Sequence, residues 1–289
     1  MLYLNVRSGL CNRLRAIASA KRLARDAGDE LCVVWGMDWG MRVNYTSIMN
    51  RPKEFTLLQS DDKRFDDIIG KFKVGTPLYY SLEQINNLEI RAEMIDEFLR
   101  NKGVRDFYFE TNNSFYSNVD YDWFSPKSTL EEAAQLFMRQ LPPQYIGIHI
   151  RRTDNIKSKI YSPLYCFEDI IDQELQQDGT SEFFLASDDA YVKDRLQNRF
   201  GTCVHTRQSV AERFAENGIA DAIVDLIVLS NAKNIYGSYW SSFSSMSSNI
   251  GKVPYVCAKE ENLEKSVLRL ESELQLLVEK NKYKERHIM

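Results

Sequence analysis

The sequence predicts an α/β protein made of two domains, each with a mainly parallel sheet. Short apolar segments typical of strands alternate with segments of helical periodicity along most of the chain. Some strand segments are almost wholly apolar, which is typical of a parallel sheet covered by helices on both faces. The length of 289 residues corresponds to about two domains of ordinary size.

The N-terminal segment has the order strand, loop, helix, strand. Leu2–Val6 and Glu30–Trp35 are predicted strands, and Arg13–Ala27 carries an apolar face at helical spacing. Gly28 follows that helix and is a suitable terminator for it. This order is typical of the beginning of a nucleotide-binding type of α/β domain.

The segment 37–125 is less regular and carries no motif that identifies a function. It contains a predicted helix at Leu88–Arg100 and a predicted strand at Arg105–Glu110. A further helix is predicted from Ser128 to about Arg139, and Pro142-Pro143 then interrupts the chain. We therefore predict that residues 1–140 form the first domain.

Strands and helices alternate clearly after this boundary. We predict strands at Tyr145–Ile150, Glu182–Ala186, Thr202–Thr206, Asn234–Tyr236 and Val253–Cys257, and helices at Cys166–Gln177, Asp189–Phe200, within Val210–Asn231 and at Phe243–Ile250. A second α/β domain is therefore expected at residues 141–258.

The C-terminal segment, residues 259–289, is predicted to form one long helix, because residues 260–286 contain no Gly or Pro. Its apolar residues follow a heptad spacing of four and three: Leu263, Val267, Leu270, Leu274 and Leu277. Two interpretations fit this pattern. The helix packs on its own domain, or it associates with a second copy as a coiled coil and makes a homodimer.

Composition and charge exclude several classes of protein. Lys and Arg number 37 against 41 Asp and Glu, a net charge of −4, so no basic surplus indicates a nucleic-acid partner. The absence of a long apolar run or a signal-peptide pattern predicts a cytoplasmic protein without a spanning segment. The cysteines are odd in number and lack metal-ligand spacing, which predicts free thiols: Cys11, Cys32, Cys166, Cys203 and Cys257.

The most informative motif is the strand 145–150 and the polar residues that follow it. His149 lies within the strand, and Arg151, Arg152 and Asp154 lie at or beyond its end. Ligands of open α/β sheets bind beyond the carboxyl ends of strands, where an arginine fork is suited to a pyrophosphate. The alternatives are an Arg–Asp ion pair that closes a turn and, for His149, an ordinary core position.

Three weaker motifs also follow predicted strands. Each of them can be interpreted as part of a ligand-binding site. Each also has a structural interpretation, which is a plain turn before a helix for the first, a helix cap for the second and a flexible serine-rich loop for the third. The residues are Asn12 and Arg13 in a glycine-containing turn, Asp188 and Asp189 after the strand 182–186, and Phe243, Ser244 and Ser245 in a stretch of serines and aromatic residues.

Taken together and in this order, these motifs resemble those of the fucosyltransferase superfamily with the GT-B architecture. The resemblance is strongest to α-1,6-fucosyltransferases, with protein O-fucosyltransferases and α-1,2-fucosyltransferases as more distant relatives. It implies two facing Rossmann-like domains, of which residues 141–258 bind the nucleotide-sugar donor and residues 1–140 bind the acceptor. The motifs that carry it are Gly9–Leu14, His149–Asp154, Leu185–Asp189 and Ser242–Ser245.

The resemblance also implies an activity: inverting, metal-independent transfer of fucose from GDP-fucose to a glycan. Arg151 would stabilise the leaving diphosphate, and no other cofactor is expected. The donor-binding residues carried over by position are Asn12, Arg13, His149, Arg152, Asp188, Asp189, Phe243, Ser244 and Ser245. Asp120-Tyr121-Asp122 is the one DxD sequence, and we interpret it as structural rather than as a metal site.

The chain departs from this family at one position. Where the α-1,6 relatives carry a glutamate that resembles the acceptor base, this sequence has Lys159. Asp154 is our first candidate for the base and Asp38 the next, unless the reaction needs none. Two other functions stay open: a transferase that uses a different nucleotide sugar, and a non-catalytic nucleotide- or glycan-binding assembly protein. The small size is consistent with a bacterial enzyme of polysaccharide biosynthesis.

Overall fold

The computed structural model describes residues 1–73, 78–101, 103–208 and 215–262, together with residues 264 and 267. The chain divides into two compact units, which are Met1–Phe137 with Ser209–Ile227 and Met138–Gln208 with Val228–Met289. Within the described residues there are two parallel sheets, each of five strands with helices around it. The predicted α/β class is therefore confirmed.

The strands of the first sheet are arranged in the order β3-β2-β1-β5-β4, and those of the second in the order β10-β9-β6-β7-β8. Their bounds are β1 Leu2–Val6, β2 Leu31–Trp35, β3 Thr56–Gln59, β4 Tyr79–Tyr80, β5 Phe107–Thr111, β6 Ile146–Ile150, β7 Phe183–Ser187, β8 Val204–Thr206, β9 Ile235–Ser238 and β10 Tyr255–Ala258.

The helices pack around these sheets. Their bounds are α1 Leu10–Ala27, α2 Tyr45–Ile48, α3 Phe65–Lys73, α4 Leu82–Asn86, α5 Leu88–Asn101, α6 Ser128–Met138, α7 Ile156–Tyr161, α8 Leu164–Gln177, α9 Ala190–Phe200, α10 Glu216–Ser230 and α11 Ser242–Gly251. The predicted helix within Val210–Asn231 thus corresponds to α10, and residues 209–214 lie outside the described part.

The first sheet is built on β1, which pairs in parallel with β2 on one side and β5 on the other. All five residues of β2 are buried, as its almost wholly apolar sequence predicts. Helix α1 ends at Gly28, whose φ of 65° lies in the left-handed region that terminates helices. The predicted strand–helix–strand order of the N-terminus is therefore confirmed.

The second sheet is built on β6, which is buried along its whole length and pairs in parallel with β7 and β9. Ile148 and Ile150 pack in a core with residues of α8 and β7, including Phe167 and Phe183. Because the three strands are parallel neighbours, their carboxyl ends meet at one edge of this sheet. The residues that follow β6, β7 and β9 therefore come together there.

The predicted C-terminal helix lies almost entirely outside the described residues, including Leu263, Leu270, Leu274 and Leu277. Both interpretations of its heptad pattern stay predictions. Among the helices that the structure describes, none combines the length and the apolar character needed to cross a bilayer. All five cysteines are free thiols.

Candidate functional site

Arg151 is the first residue after β6 and lies at the edge where the strands of the second sheet end. Its backbone N–H donates to the Ser238 hydroxyl at the end of β9 (2.9 Å). Its guanidinium lies between two carboxylates: Nη1 is 2.6 Å from Oδ2 of Asp188, and Nη2 pairs with Oδ1 of Asp154. The side chain is 15% exposed, so the guanidinium is held in place but still reaches the surface.

Asp188, directly after β7, holds the turn that contains Arg151. Its carboxylate accepts from the backbone N–H of Arg152 (2.7 Å) and from both the N–H and the hydroxyl of Thr153 (3.2 and 2.6 Å). Burial by itself would raise the pKa of Asp188, but the Arg151 charge and these hydrogen bonds outweigh burial and hold that pKa below its ordinary value. Asp188 is therefore an ionised anchor, and a contact with the guanosine stays a prediction.

Arg152 and Asp154 flank Thr153 in the same turn and differ in burial. Arg152 is buried; its Nη1 donates to the Arg151 carbonyl (3.1 Å), and its guanidinium carbon lies 6.0 Å from the centroid of the Phe167 ring. The Asp154 side chain is 48% exposed and pairs with Arg151. The predicted ion pair between arginine and aspartate is thus present. It leaves Asp154 accessible from solvent.

Asp189 begins helix α9. Its carboxylate accepts from the backbone N–H of Tyr191 (2.9 Å), so it acts as the N-cap of that helix. The helix-cap interpretation is confirmed for Asp189, whereas the neighbouring Asp188 faces the turn after β6. Donor binding by Asp189 stays a prediction.

His149 is buried in β6 and belongs to the same edge. Its Nδ1 is 2.7 Å from the Ser244 hydroxyl, and its ring stacks on Phe243 with 4.8 Å between centroids. Burial is the main cause that lowers the pKa of His149 far below its ordinary value, and the charges of Arg151 and Arg152 act in the same direction. His149 is therefore a neutral imidazole at physiological pH.

Helix α11 approaches the sheet very closely at this edge. A Cβ atom on Gly237 of β9 would lie 2.3 Å from Cβ and Oγ of Ser244, so only glycine permits this contact. Ser244 is fully buried, and the Ser245 hydroxyl donates to the Ser242 carbonyl (3.2 Å) within the first turn of α11. The serine-rich segment therefore begins a regular helix rather than a flexible loop. Phosphate binding by its serines stays a prediction.

In the first unit, Arg13 is completely buried beneath the loop that joins β1 to α1. Its Nε donates to the Ser8 carbonyl and its Nη1 to the Gly36 carbonyl (both 2.7 Å), while Nη2 lies 3.0 Å from Asp38. Burial lowers the pKa of Arg13 to about 10, although the Asp38 charge acts in the opposite direction. This arrangement assigns Arg13 to holding the loop in place. A contact between Arg13 and the donor would require the guanidinium to give up its contacts with Ser8, Gly36 and Asp38.

The other candidates of the first unit are also engaged. Asn12 donates from Nδ2 to the Ser8 hydroxyl (3.1 Å). The Asp38 carboxylate accepts from the backbone N–H of Ser8 (3.0 Å) and of Gly40 (2.8 Å), in addition to its contact with Arg13. Asp38 is nearly inaccessible, with a side chain 5% exposed. A buried carboxylate with this many donors is poorly placed to accept a proton from a substrate, which favours Asp154 as the base.

Asp120 of the DxD sequence pairs with Lys21 (2.8 Å) and Arg25 (3.4 Å) on helix α1. These contacts agree with its interpretation as a structural residue. In the part of the chain that the structure describes, no group of three or more His, Cys, Asp and Glu side chains is arranged to hold a metal ion.

Two residues of the site were not singled out from the sequence. The Ser238 hydroxyl accepts a hydrogen bond from the Arg151 backbone N–H, and the Thr153 hydroxyl donates to the Asp188 carboxylate. Thr153 lies within the motif His149–Asp154, between two residues that we did select, and Ser238 is the last residue of β9, before the motif Ser242–Ser245. The rule that strand ends meet at one sheet edge identifies them once the strand order β9-β6-β7 is known. At this edge the second unit presents a fixed guanidinium beside hydroxyl groups, an arrangement suited to an anionic ligand.

Comparison with known proteins identifies the fold. No family model and no curated protein sequence matches the chain, but solved structures match it over most of its length. Fucosyltransferases are among the matching structures, and the chain has their GT-B fold. This confirms the fold type that the motifs predicted.

Three of these structures illustrate the likeness. The NodZ α-1,6-fucosyltransferase co-crystallised with GDP has a TM-score of 0.61 at 15% identity, covering 85% of this chain and 91% of NodZ. An Arabidopsis thaliana FUT1 variant in complex with GDP has a TM-score of 0.64 at 16% identity, covering 90% of this chain and 71% of FUT1. POFUT1 in complex with GDP-fucose has a TM-score of 0.55 at 11% identity, covering 89% of this chain and 97% of POFUT1.

Proposed function

We propose that this protein is a glycosyltransferase that moves fucose from GDP-fucose to a glycan acceptor. The observation that carries this proposal is Arg151, whose guanidinium is fixed by Asp188 at the edge where β6, β7 and β9 end. Ligands of open α/β sheets bind at such an edge. The proposal is further supported by the fold, because the similar structures include complexes with GDP and GDP-fucose.

In the proposed reaction the second unit binds the donor. As the bond between the anomeric carbon and the β-phosphate oxygen breaks, its electron pair stays on the departing GDP, and the diphosphate gains negative charge. A guanidinium that is already in position stabilises this charge without reorganisation. Arg151 would supply that guanidinium. The amides at the N-terminus of α11, including that of Ser244, and the Ser245 hydroxyl would bind the phosphates, while the buried Ser244 hydroxyl stays on His149.

The acceptor hydroxyl would attack the anomeric carbon from the face opposite the leaving group, so the configuration is inverted. Its proton would pass to Asp154, which is half exposed and which the bound diphosphate would release from Arg151. The positive charge of Arg151 takes the place of a metal ion in this scheme, and we expect transfer in the presence of EDTA. The first unit would bind the acceptor, a glycan of a bacterial surface polysaccharide made in the cytoplasm.

Nucleotide selectivity and donor turnover test this proposal. A thermal-shift titration with GDP, UDP and CMP should show stabilisation by GDP, because a ligand that binds only the folded state raises its stability by mass action. The purified chain should release GDP from GDP-fucose and transfer fucose within a panel of glycans. Stabilisation by UDP or CMP instead would indicate a different nucleotide sugar. GDP binding without any turnover would indicate a non-catalytic binding protein.

A further inference from the structure

The loop between β9 and α11 presents a tryptophan to solvent. Trp240 is 64% exposed, and its backbone φ is 57°. Residues other than glycine seldom adopt this left-handed conformation, and such conformations persist only where neighbouring contacts maintain them. The position of this indole is therefore specified by the loop around it.

Helix α7 and its flanking residues supply those contacts. Asn155 donates from Nδ2 to the Trp240 carbonyl (3.0 Å), and the Ser158 hydroxyl donates to the Tyr239 carbonyl (2.6 Å). The Tyr239 N–H donates to the Ser162 hydroxyl (2.7 Å). Three hydrogen bonds thus join this loop to the segment that follows the Arg151 turn. The exposed indole is consequently a rigid surface beside the proposed donor site.

Two lysines of α7 give this surface a positive charge. The Lys157 ammonium lies 4.1 Å from the centroid of the Trp240 ring, and the Lys159 ammonium donates to the Thr153 carbonyl (3.3 Å). Among the carboxylates in the described ranges, none forms an ion pair with either lysine. Both charges are therefore available to an anionic ligand.

We propose that the Trp240 surface, which consists of Lys157, Lys159 and Trp240, binds an acidic pyranose of the glycan acceptor. The apolar face of a pyranose ring can stack on an exposed indole, and ammonium groups form charge-assisted hydrogen bonds with a carboxylate. This inference rests on the proposed function and names the chemical class of the acceptor. It adds a contact from the second unit to an acceptor that the first unit would otherwise bind.

The alternative occupant of the Trp240 surface is the guanine base of the donor. A guanine base is neutral and supplies no counter-charge for two ammonium groups. An acidic pyranose can stack on the indole ring and also supply a carboxylate for the two ammonium groups.

Titration calorimetry with a defined probe tests this inference. Tetragalacturonate is compared with its fully methyl-esterified form, which has the same rings but no charge. The wild-type protein should bind the acid more tightly than the ester, and added salt should weaken the binding. Lys157→Gln and Trp240→Ala should each weaken binding of the acid about fivefold. Lys233→Gln, at an exposed lysine of the same unit, is the matched control and should bind as the wild type does.

GDP binding on the same samples separates this inference from the proposed function. Equal affinity for acid and ester, or an unchanged affinity in Lys157→Gln, with GDP binding intact would overturn this inference alone. A larger loss of GDP affinity than of tetragalacturonate affinity in Trp240→Ala would assign the surface to the donor and also overturn it. Absence of GDP binding in the wild type would instead refute the proposed function. Trp240→Phe should keep part of the sugar affinity, which guards against misfolding of the alanine variant.

Discussion

The chemistry at the scale of single residues centres on how Arg151 is held. An arginine that is free in solvent loses side-chain entropy when it binds an anion, whereas the Arg151 guanidinium is already fixed by Asp188. Asp188 is itself fixed by Thr153 and the Arg152 amide. The second partner, Asp154, is half exposed and is the one that a phosphate would displace. Asp188 is therefore a positioning residue for Arg151.

The first prediction concerns Arg151 itself. Arg151→Ala should lower kcat for fucose transfer by about a hundredfold or more, because it removes a preorganised charge that stabilises the leaving group. Arg151→Lys should lose much of this activity as well, since an ammonium cannot make the forked contact of a guanidinium. Initial rates with GDP-fucose at saturating concentrations measure the effect.

Arg100→Ala is the matched control for Arg151, because Arg100 is an exposed arginine on α5 whose guanidinium, within the described residues, contacts only Asp96, one turn earlier in the same helix (3.2 Å to the carbonyl and 3.9 Å to the carboxylate). It should turn over as the wild type does. Near-normal turnover of Arg151→Ala would remove this arginine from the mechanism.

The second prediction uses the buried neutral His149. Its pKa is lowered in the folded protein, so below about pH 6.5 the unfolded chain takes up a proton that the folded protein does not. Stability should therefore fall as the pH is lowered from 7 to 5, with a contribution approaching about 1.4 kcal/mol per pH unit. Denaturant unfolding at a series of pH values measures this slope.

Comparison of variants assigns the slope to this residue. His149→Gln should flatten the dependence between pH 5 and 7 relative to the wild type. An unchanged slope in His149→Gln would show that His149 carries no such linkage.

At the scale of elements, the site depends on how closely α11 packs against β9. Gly237 lies in β9 and pairs with His149 of β6 in the sheet register. Because Gly237 has no side chain, Ser244 comes close enough to reach the His149 ring. The same contact fixes the first turn of α11 relative to the turn that carries Arg151. One small residue thus determines the spacing of both proposed phosphate-binding groups.

The third prediction follows from this spacing. Gly237→Ala should destabilise the second unit by about 3 kcal/mol, because overpacking forces backbone to move. It should also weaken GDP binding, since α11 is displaced. Gly179→Ala is the control: its added Cβ meets only the Leu175 carbonyl oxygen at 3.9 Å, so stability should hardly change. Denaturant unfolding with GDP titration measures both effects, and a stable Gly237→Ala with normal GDP affinity would contradict the argument.

Elements in the clear alternation of strands and helices could be predicted from the sequence, including the short strands β8, β9 and β10, whereas most elements within 37–125 could not. The strands β1, β2, β6 and β7 and the helices α1, α5, α8 and α9 agree with prediction to within a few residues. Although α3 has nine residues, most of the elements missed within 37–125 are short, such as β4 with two residues and α2 with four. Segments of this length hold too few residues to show a period. They form because neighbouring strands and helices bind them.

The candidate site shows the same limit. Its motifs could be found because each lies next to a predicted strand end, but the partners of each side chain could not. Arg13 bonds to Gly36, which is 23 residues away in the chain, and Arg152 bonds to Asp188, which is 36 residues away. Such pairs depend on strand order, which local periodicity does not encode. The burial of Arg13 and the anchoring role of Asp188 could therefore be recognised only from the structure.

At the scale of the whole molecule, charge is distributed unevenly. The chain has a net charge of −4, yet the nine residues 151–159 of the second unit carry four cationic side chains and one carboxylate, Asp154. A local positive field on an acidic protein attracts small anions without favouring nucleic acid in general. This distribution suits a phosphate-bearing donor and, by the inference above, an acidic acceptor.

The last prediction tests the assignment of the donor to the second unit. A ligand present at a hundred times its dissociation constant adds about 2.7 kcal/mol to the free energy of unfolding of the region that binds it. Amide hydrogen exchange measures this stabilisation peptide by peptide. GDP should therefore slow exchange in peptides that cover residues 147–160 and 236–250. Peptides that cover residues 36–50 should change little, because the proposed nucleotide site lies in the second unit. CMP serves as the control and should leave all of these peptides unchanged. Protection concentrated in residues 36–50 would place the nucleotide on the first sheet, and the proposed roles of the two units would then have to be exchanged.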